Sequence, residues 1–320
     1  MSSATSVSRA STSIHSRARS ARRATERDFW ARTLDAAPLV GEPDPGRDVA
    51  ASVCVAELRI PPETAAPLLT TLPSAYRAGV HEVLLTGLAA AVTDLAGGPV
   101  VVGLEGHGRE EDLVDGVDLS GTVGWFTTYF PVRLDSGDLG FAAVSDGDKQ
   151  AGELLKRVKE QVRAAPEHGI GYGLLRHLAR DEVLCGLSEP RIAFNYLGRV
   201  PASTGRPWDL APESATFRLP PQDDRPVTVA LDIDASAIEQ DGDWALHIAI
   251  SWPKALVERD LVDGLLSRWE RALQGLALHA ARQDAGGYTP SDLPLVSLTQ
   301  DDIDELEAEL DDEPEFREGR

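Results

Sequence analysis

Apolar residues along this chain follow two rhythms, one repeating every second residue and one every three to four. Val49–Ile60 carries Val53, Val55, Leu58 and Ile60 among smaller or polar residues, a spacing that predicts a strand. Pro99–Leu104 contains the fully apolar run Val100–Val101–Val102 and predicts a short buried strand that ends at Glu105. Thr122–Leu134 reads as an aromatic-rich strand, and Arg191–Leu197, Val227–Ser236 and Trp244–Trp252 as three more. The last two are joined across Asp241–Gly242–Asp243 as a hairpin. Helical spacing predicts helices over Glu26–Leu34 (bearing Phe29 and Trp30), Pro62–Leu72, Lys149–Arg163, Tyr172–Arg180 and Leu256–Ala281. Val80–Ala96 is apolar nearly all round, so its helix is expected inside the core. Strands interleaved with helices, ending in a hairpin, predict an α/β fold: a mixed-sheet α/β sandwich.

The two ends differ from this body. Met1–Ala24 is rich in Ser, Arg and Ala, has no acidic residue and no hydrophobic period. It reads as a disordered leader or a misassigned start; an organelle transit peptide shares the composition but needs an amphipathic stripe that is absent. Thr299–Arg320 is dominated by Asp and Glu, and Ile303, Leu306 and Leu310 within it predict a short amphipathic helix. The expected organisation is therefore a leader over 1–25, one lobe over 26–298 and an acidic tail over 299–320.

Charge narrows the partners. The chain has 31 Lys and Arg against 52 Asp and Glu, a formal net charge of −21, and this excess repels phosphate backbones and anionic lipid surfaces. Neither nucleic acid nor a membrane is expected as the main partner. The longest apolar stretch, Val83–Val92, is far shorter than the roughly 20 residues a spanning helix requires. Cys54 and Cys185 are the only cysteines and lack companions at metal-binding spacing, which predicts a reducing, cytoplasmic setting without disulfides or zinc.

Candidate chemistry gathers in the middle of the chain. At Leu104–Glu111 an apolar strand delivers Glu105, after which Gly106 and Gly108 flank His107 and Arg109 follows. A carboxylate leaving a buried strand is partly desolvated, which raises its pKa toward the range useful for proton transfer. The flanking glycines permit positive φ or a close approach to a ligand. A plain turn in which Glu105 pairs with Arg109 fits the same spacing. Trp125 and the other aromatics of Thr122–Val132 wall a pocket or simply fill the core. Asn195 and Tyr196 interrupt a strand of Ile and Phe, where a buried amide needs partners. Asn195 either orients a substrate carbonyl or pairs with a neighbouring loop. Pro166–Leu178 offers a Gly-spaced helix entry with Tyr172. There is no Walker-type loop, dinucleotide fingerprint or Ser-His-Asp order.

Five segments then occur in a telling order: EGHGRE (Glu105–Glu110), DLSGTVGWFTTYFPV (Asp118–Val132), GIGYGLLR (Gly169–Arg176), FNYLG (Phe194–Gly198) and GYTPSDLPLV (Gly287–Val296). Together they resemble the C-terminal half of the epimerization domains of nonribosomal peptide synthetases, within the condensation-domain superfamily. The resemblance implies a chloramphenicol-acetyltransferase-like fold, of which this chain supplies a single lobe. It also implies a tunnel entered by the phosphopantetheine arm of a partner carrier protein, with no cofactor bound directly. There an L-aminoacyl or peptidyl thioester loses its α-proton on one face and regains one on the other. By resemblance Glu105 is one acid/base group, Asn195 a positioning residue and Tyr196 a third member of the catalytic set. Gly106, His107, Gly108, Arg109, Trp125 and Tyr172 are expected along the tunnel.

One departure weighs as much as the match. The family's second acid/base group is a His in an HHxxxDG motif of the other lobe, and none of the seven histidines here adjoins another. About 28 residues precede the helix that follows that lobe in the family, too few for a lobe. Gly121 also stands where the family usually has a basic residue. Three expectations follow: half of a split epimerization site completed by an HHxxxDG lobe on another chain or by a self-dimer, a noncatalytic module that docks carrier proteins, or a truncated gene product.

Overall fold

The computed structural model describes residues 21–111, 118–201, 224–240 and 242–312. Residues 1–20 of the expected leader, 313–320 of the acidic tail and Asp241 of the predicted turn lie outside them.

Six strands form one mixed sheet: β1 (Val53–Ile60), β2 (Val100–Gly106), β3 (Thr128–Leu134), β4 (Ile192–Val200), β5 (Leu231–Gln240) and β6 (Asp243–Pro253). Their order is β1-β6-β5-β4-β2-β3. Strand β4 runs parallel to both β2 and β5, and the remaining pairs are antiparallel. The alternation that predicted the strands also sorts their faces. In β5, Leu231, Ile233, Ala235 and Ala237 are buried, while Asp232 and Asp234 point the other way and are exposed.

The helices are α1 (Ala21–Thr33), α2 (Pro62–Ala75), α3 (Val80–Ala96), α4 (Phe141–Ser145), α5 (Lys149–Arg163), α6 (Ile170–Gly173), α7 (Glu182–Cys185), α8 (Arg259–His279) and α9 (Gln300–Asp312). Helix α3 is buried along most of its length, as its sequence requires, and packs against α8 and α5. It ends at Gly97, whose φ of 67° lets the amides of Gly97 and Gly98 close on the Thr93 carbonyl. Inside α2 the chain widens to a π-type turn over Pro67–Thr71; Pro67 has no N–H to donate, so the α-helical ladder breaks there. Helix α1 begins at Ala21, within the stretch expected to be leader, and seats Trp30 fully in the core. Among the described residues no single helix is long and apolar enough to cross a membrane.

Two expectations need correction. The strand expected over Thr122–Leu134 begins only at Thr128. At the start of that stretch Arg109 takes the Thr122 carbonyl at 3.0 Å, together with that of Leu119 just before it at 2.6 Å. In the C-terminal helix Ile303 is buried, but Leu306 is 47% exposed. That helix is held instead by Lys156, whose ammonium reaches Asp304 at 2.9 Å and Glu307 at 3.5 Å.

Among the described residues, helices cover only one face of the central sheet. On the other a cross-strand row runs Glu57, Ala249, Asp234, Asn195, Glu105 and Tyr129. Next to it runs a second row, Val55, Ser251, Asp232, Ala193, Gly103 and Pro131.

Candidate functional site

A cleft of about 770 Å³ opens at the carboxyl ends of the parallel strands β2 and β4. Open α/β sheets commonly place ligands outside the carboxyl ends of their strands. Leu104, Glu105, Gly106, Phe194 and Tyr196 come from the strands, Gly79, His81, Glu82 and Leu85 from the start of α3, and Val162, Arg163, Ala165 and His168 from the end of α5 and the turn beyond it.

Glu105 is the last outward residue of β2, and Asn195 lies beside it on β4. The Asn195 side-chain amide donates to Glu105 Oε2 at 3.2 Å. The partner of Asn195 is thus the carboxylate on the adjacent strand and not the neighbouring loop that the sequence left open. Desolvation, followed by the negative charges of Asp232 and Asp234 along the sheet, pushes the Glu105 carboxyl above the ordinary carboxylate range. The Asp232 and Asp234 carboxyls are themselves raised, chiefly by desolvation. Tyr196 is half-buried in the cleft wall, and burial raises its phenol.

The remaining expected residues divide. Gly106 and His107 line the cleft. Gly108 adopts a φ of 65°, as the glycine spacing allowed, but its close approach is to the chain itself. A Cβ there would fall on the Phe126 carbonyl. Arg109 lies outside the lining and makes no pair with Glu105. It grips the 118–127 loop through the two carbonyls already named and lies over the Phe126 ring at 4.4 Å. Trp125 is 90% exposed and Tyr172 is 1% exposed, and neither reaches the cleft. Tyr172 packs edge-on against Trp30, 5.6 Å between rings, and belongs to the core.

Several cleft residues escaped the sequence reading. Arg163 lines the cleft but is fully engaged by Glu82 at 2.9 and 3.2 Å, Asp292 at 3.1 Å and the Arg77 carbonyl at 2.6 Å. His81, at the first turn of α3, opens on the cleft; desolvation pushes its imidazole down, opposed by the charge of Glu82. Glu110 accepts from His168 Nδ1 at 2.8 Å, and His107 Nε2 stands 3.8 Å from its other oxygen. No local pattern links Glu110 to His168, which is 58 positions away. No group of three or more His, Cys, Asp or Glu side chains poised for a metal occurs among the described residues.

The acidic row gives a stability prediction. All three raised carboxyls bind protons more tightly folded than unfolded. Their contribution is therefore complete below the ordinary carboxylate range and lost as pH rises through the raised values. A D232N/D234N double variant is expected to melt higher than the parent near about pH 7 and level with it near about pH 3, as read by thermal scans.

Comparison with known proteins gives this arrangement its class. The condensation-domain profile matches residues 10–293. The chain belongs to the condensation-domain family of nonribosomal peptide synthetases. It is 38% identical over 251 residues to a linear gramicidin synthase of Brevibacillus parabrevis, covering 75% of this chain and 4% of that protein. With bacitracin synthase 1 of Bacillus licheniformis it shares 30% identity over 290 residues, 90% of this chain and 5% of that protein. The epimerization domain from the third module of tyrocidine synthetase B superposes with a TM-score of 0.65 at 26% identity, over 84% of this chain and 58% of that one. The X-domain from teicoplanin biosynthesis shares the fold at a TM-score of 0.57 and 22% identity, over 83% of this chain and 57% of that one. This chain thus spans a small fraction of the synthases it matches and little more than half of the epimerization domain.

Proposed function

We propose that this lobe contributes the carboxylate side of an epimerization site acting on a carrier-bound aminoacyl or peptidyl thioester. The observation that carries the reading is Glu105. It is a carboxylate of raised pKa, oriented by Asn195, at the edge of a cleft roomy enough for a thioester and its pantetheine tether. Chemically, a thioester carbonyl acidifies the adjacent Cα–H. A partly desolvated carboxylate within reach takes that proton, leaving an enolate whose charge needs hydrogen-bond donors. The Asn195 amide beside Glu105 and the Tyr196 phenol in the cleft wall are the polar groups β4 offers for that task. The phosphopantetheine arm belongs to the partner carrier protein, as substrate tether. Inversion further requires a proton delivered to the opposite face, and in the family this comes from the HHxxxDG lobe.

A second reading is a carrier-protein docking module without catalysis. The two are separated by incubating the full chain in D2O with carrier protein charged with L-aminoacyl groups, with and without an added HHxxxDG lobe. Epimerization chemistry predicts α-deuterium in the recovered amino acid. Carrier binding without α-deuterium in either arm decides for docking.

A further inference from the structure

Helix α9 is tied to the lobe by few contacts, and they lead toward the cleft. Among its described side chains only Ile303 is buried. Asp301, Asp302, Asp304, Glu305, Glu307 and Glu309 crowd this one helix, several of them three or four residues apart, where like charges destabilise a helix. A helix of this length is marginal in isolation, so α9 owes its order to what it docks against. Two carboxylates make the joint. Glu307 Oε1 accepts from the Tyr288 backbone N–H at 2.7 Å, and its Oε2 stands 3.5 Å from Lys156 Nζ, which Asp304 meets at 2.9 Å. Gln300 donates to the Tyr288 carbonyl at 3.1 Å. Gly287 lets the chain pass here: a Cβ on it would lie 2.7 Å from Lys156 Nζ and 2.9 Å from Glu307 Oε2.

Two routes run from Tyr288 to the cleft. The Arg77 guanidinium lies over the Tyr288 ring, 3.5 Å from its centre, a cation on a π face. Arg77 has a φ of 50°, a conformation that persists where contacts impose it, and its carbonyl accepts from Arg163 at 2.6 Å. Two residues further on, Gly79 caps α3 and lines the cleft. Along the chain itself, Tyr288 leads to Ser291, which also lines the cleft, and to Asp292, which holds Arg163 at 3.1 Å. Gly79, Arg163 and Ser291 thus share one support, the residue that α9 fixes.

We propose that α9 is a detachable strap that sets this part of the cleft lining, with Glu307 the positioning residue through which it acts. Docked, it holds Tyr288, and through Tyr288 the walls at Gly79, Arg163 and Ser291. Released, by loss of the Glu307 contact, it leaves those walls loose and the cleft a poorer fit for its substrate. The effect on substrate rests on the epimerization reading above; the mechanical link does not.

The test is amide hydrogen exchange of the full chain, read by mass spectrometry, in Glu307→Ala, Glu307→Gln and Glu309→Ala. Glutamine keeps an oxygen for the Tyr288 N–H and loses only the charge, while Glu309 is an exposed carboxylate of the same helix. The amides of Gly79, Thr289 and Ser291 are bonded to Glu82, Asp292 and Glu160. In Glu307→Ala they are expected to exchange at least about tenfold faster, the factor one lost hydrogen bond is typically worth. Glu307→Gln should restore most of that protection, and Glu309→Ala should match the parent. With aminoacyl-charged carrier protein and an added HHxxxDG lobe in D2O, Glu307→Ala should raise KM for α-deuterium incorporation about tenfold and leave kcat within about twofold. Faster amide exchange confined to residue 288 and α9 overturns the strap, as does an equal effect from Glu309→Ala. An unchanged KM beside faster exchange overturns its hold on the cleft. If the parent incorporates no α-deuterium, the epimerization reading falls, and the amide map by itself still decides the strap.

Discussion

Replacing Glu105 with glutamine is expected to lower α-deuterium incorporation by ~10²–10⁴, the range typical for loss of a positioned acid/base group. Glutamine keeps the length of the side chain and an oxygen to accept the Asn195 amide, which sits 3.2 Å from the carboxylate now. What disappears is basicity alone. The variant should also fold at least as well as the parent. A carboxylate raised by desolvation and by Asp232 and Asp234 is a mild liability at neutral pH, and the amide removes it. The informative result is therefore a pair of measurements: exchange lost and the melting curve level or higher. Exchange that survives the substitution would assign the proton abstraction elsewhere.

The largest expected effect on stability comes from Asp292→Ala. Lys159 has a fully buried side chain whose ammonium meets, among the described residues, Asp292 Oδ2 at 2.6 Å and the Tyr76 carbonyl at 2.7 Å. Desolvation pushes the Lys159 ammonium toward its neutral form. Although desolvation opposes it, the hydrogen bonds from Lys159 and Thr289 hold the Asp292 carboxyl below the usual range. Removing Asp292 leaves a buried cation against one carbonyl, frees one Arg163 contact and loosens the 289–292 turn, which keeps Ser291 on Glu160 and Arg163. Breaking one side of a buried pair typically costs about 3–5 kcal/mol, and urea unfolding at neutral pH should show a loss of that size. The deficit should shrink in acid. Asp292 has a lowered folded pKa, so its contribution is present above the ordinary carboxylate range and fades as pH falls through the lowered value.

Local rhythm gave much of this fold and little of its cleft. Val80–Ala96 and Lys149–Arg163 form helices with those same bounds, because their long periodic stretches leave no other way to bury Leu84, Leu88, Leu154 and Val158. Strands β4, β5 and β6 lie within a few residues of the expected places for the same reason. The resemblance to epimerization domains agrees with the fold that the strands build, and Glu105 and Asn195 lie side by side on adjacent strands. Thr122–Thr127 failed as a strand, and local propensity cannot foresee the Arg109 guanidinium capturing the Thr122 carbonyl. Trp125 and Tyr172 have similar aromatic signatures, yet one is solvent-facing and the other core, since only tertiary packing separates them. Asp232 and Asp234 could be assigned to an outward face from their alternation. Their influence on Glu105 depends on β5 lying beside β4 and β4 beside β2, an order that strand periodicity does not encode.

The uncovered sheet face also determines how copies of this chain greet one another. Its centre carries Asp232, Asp234 and Glu105, while the basic groups Arg59 and His247 sit toward the β1 edge, where His247 already meets Glu57 at 3.5 Å. A two-fold pairing centred on the middle strands would set each carboxylate against its own image. Self-association through that centre is thereby discouraged, and a surface bringing donors or positive charge is the better match.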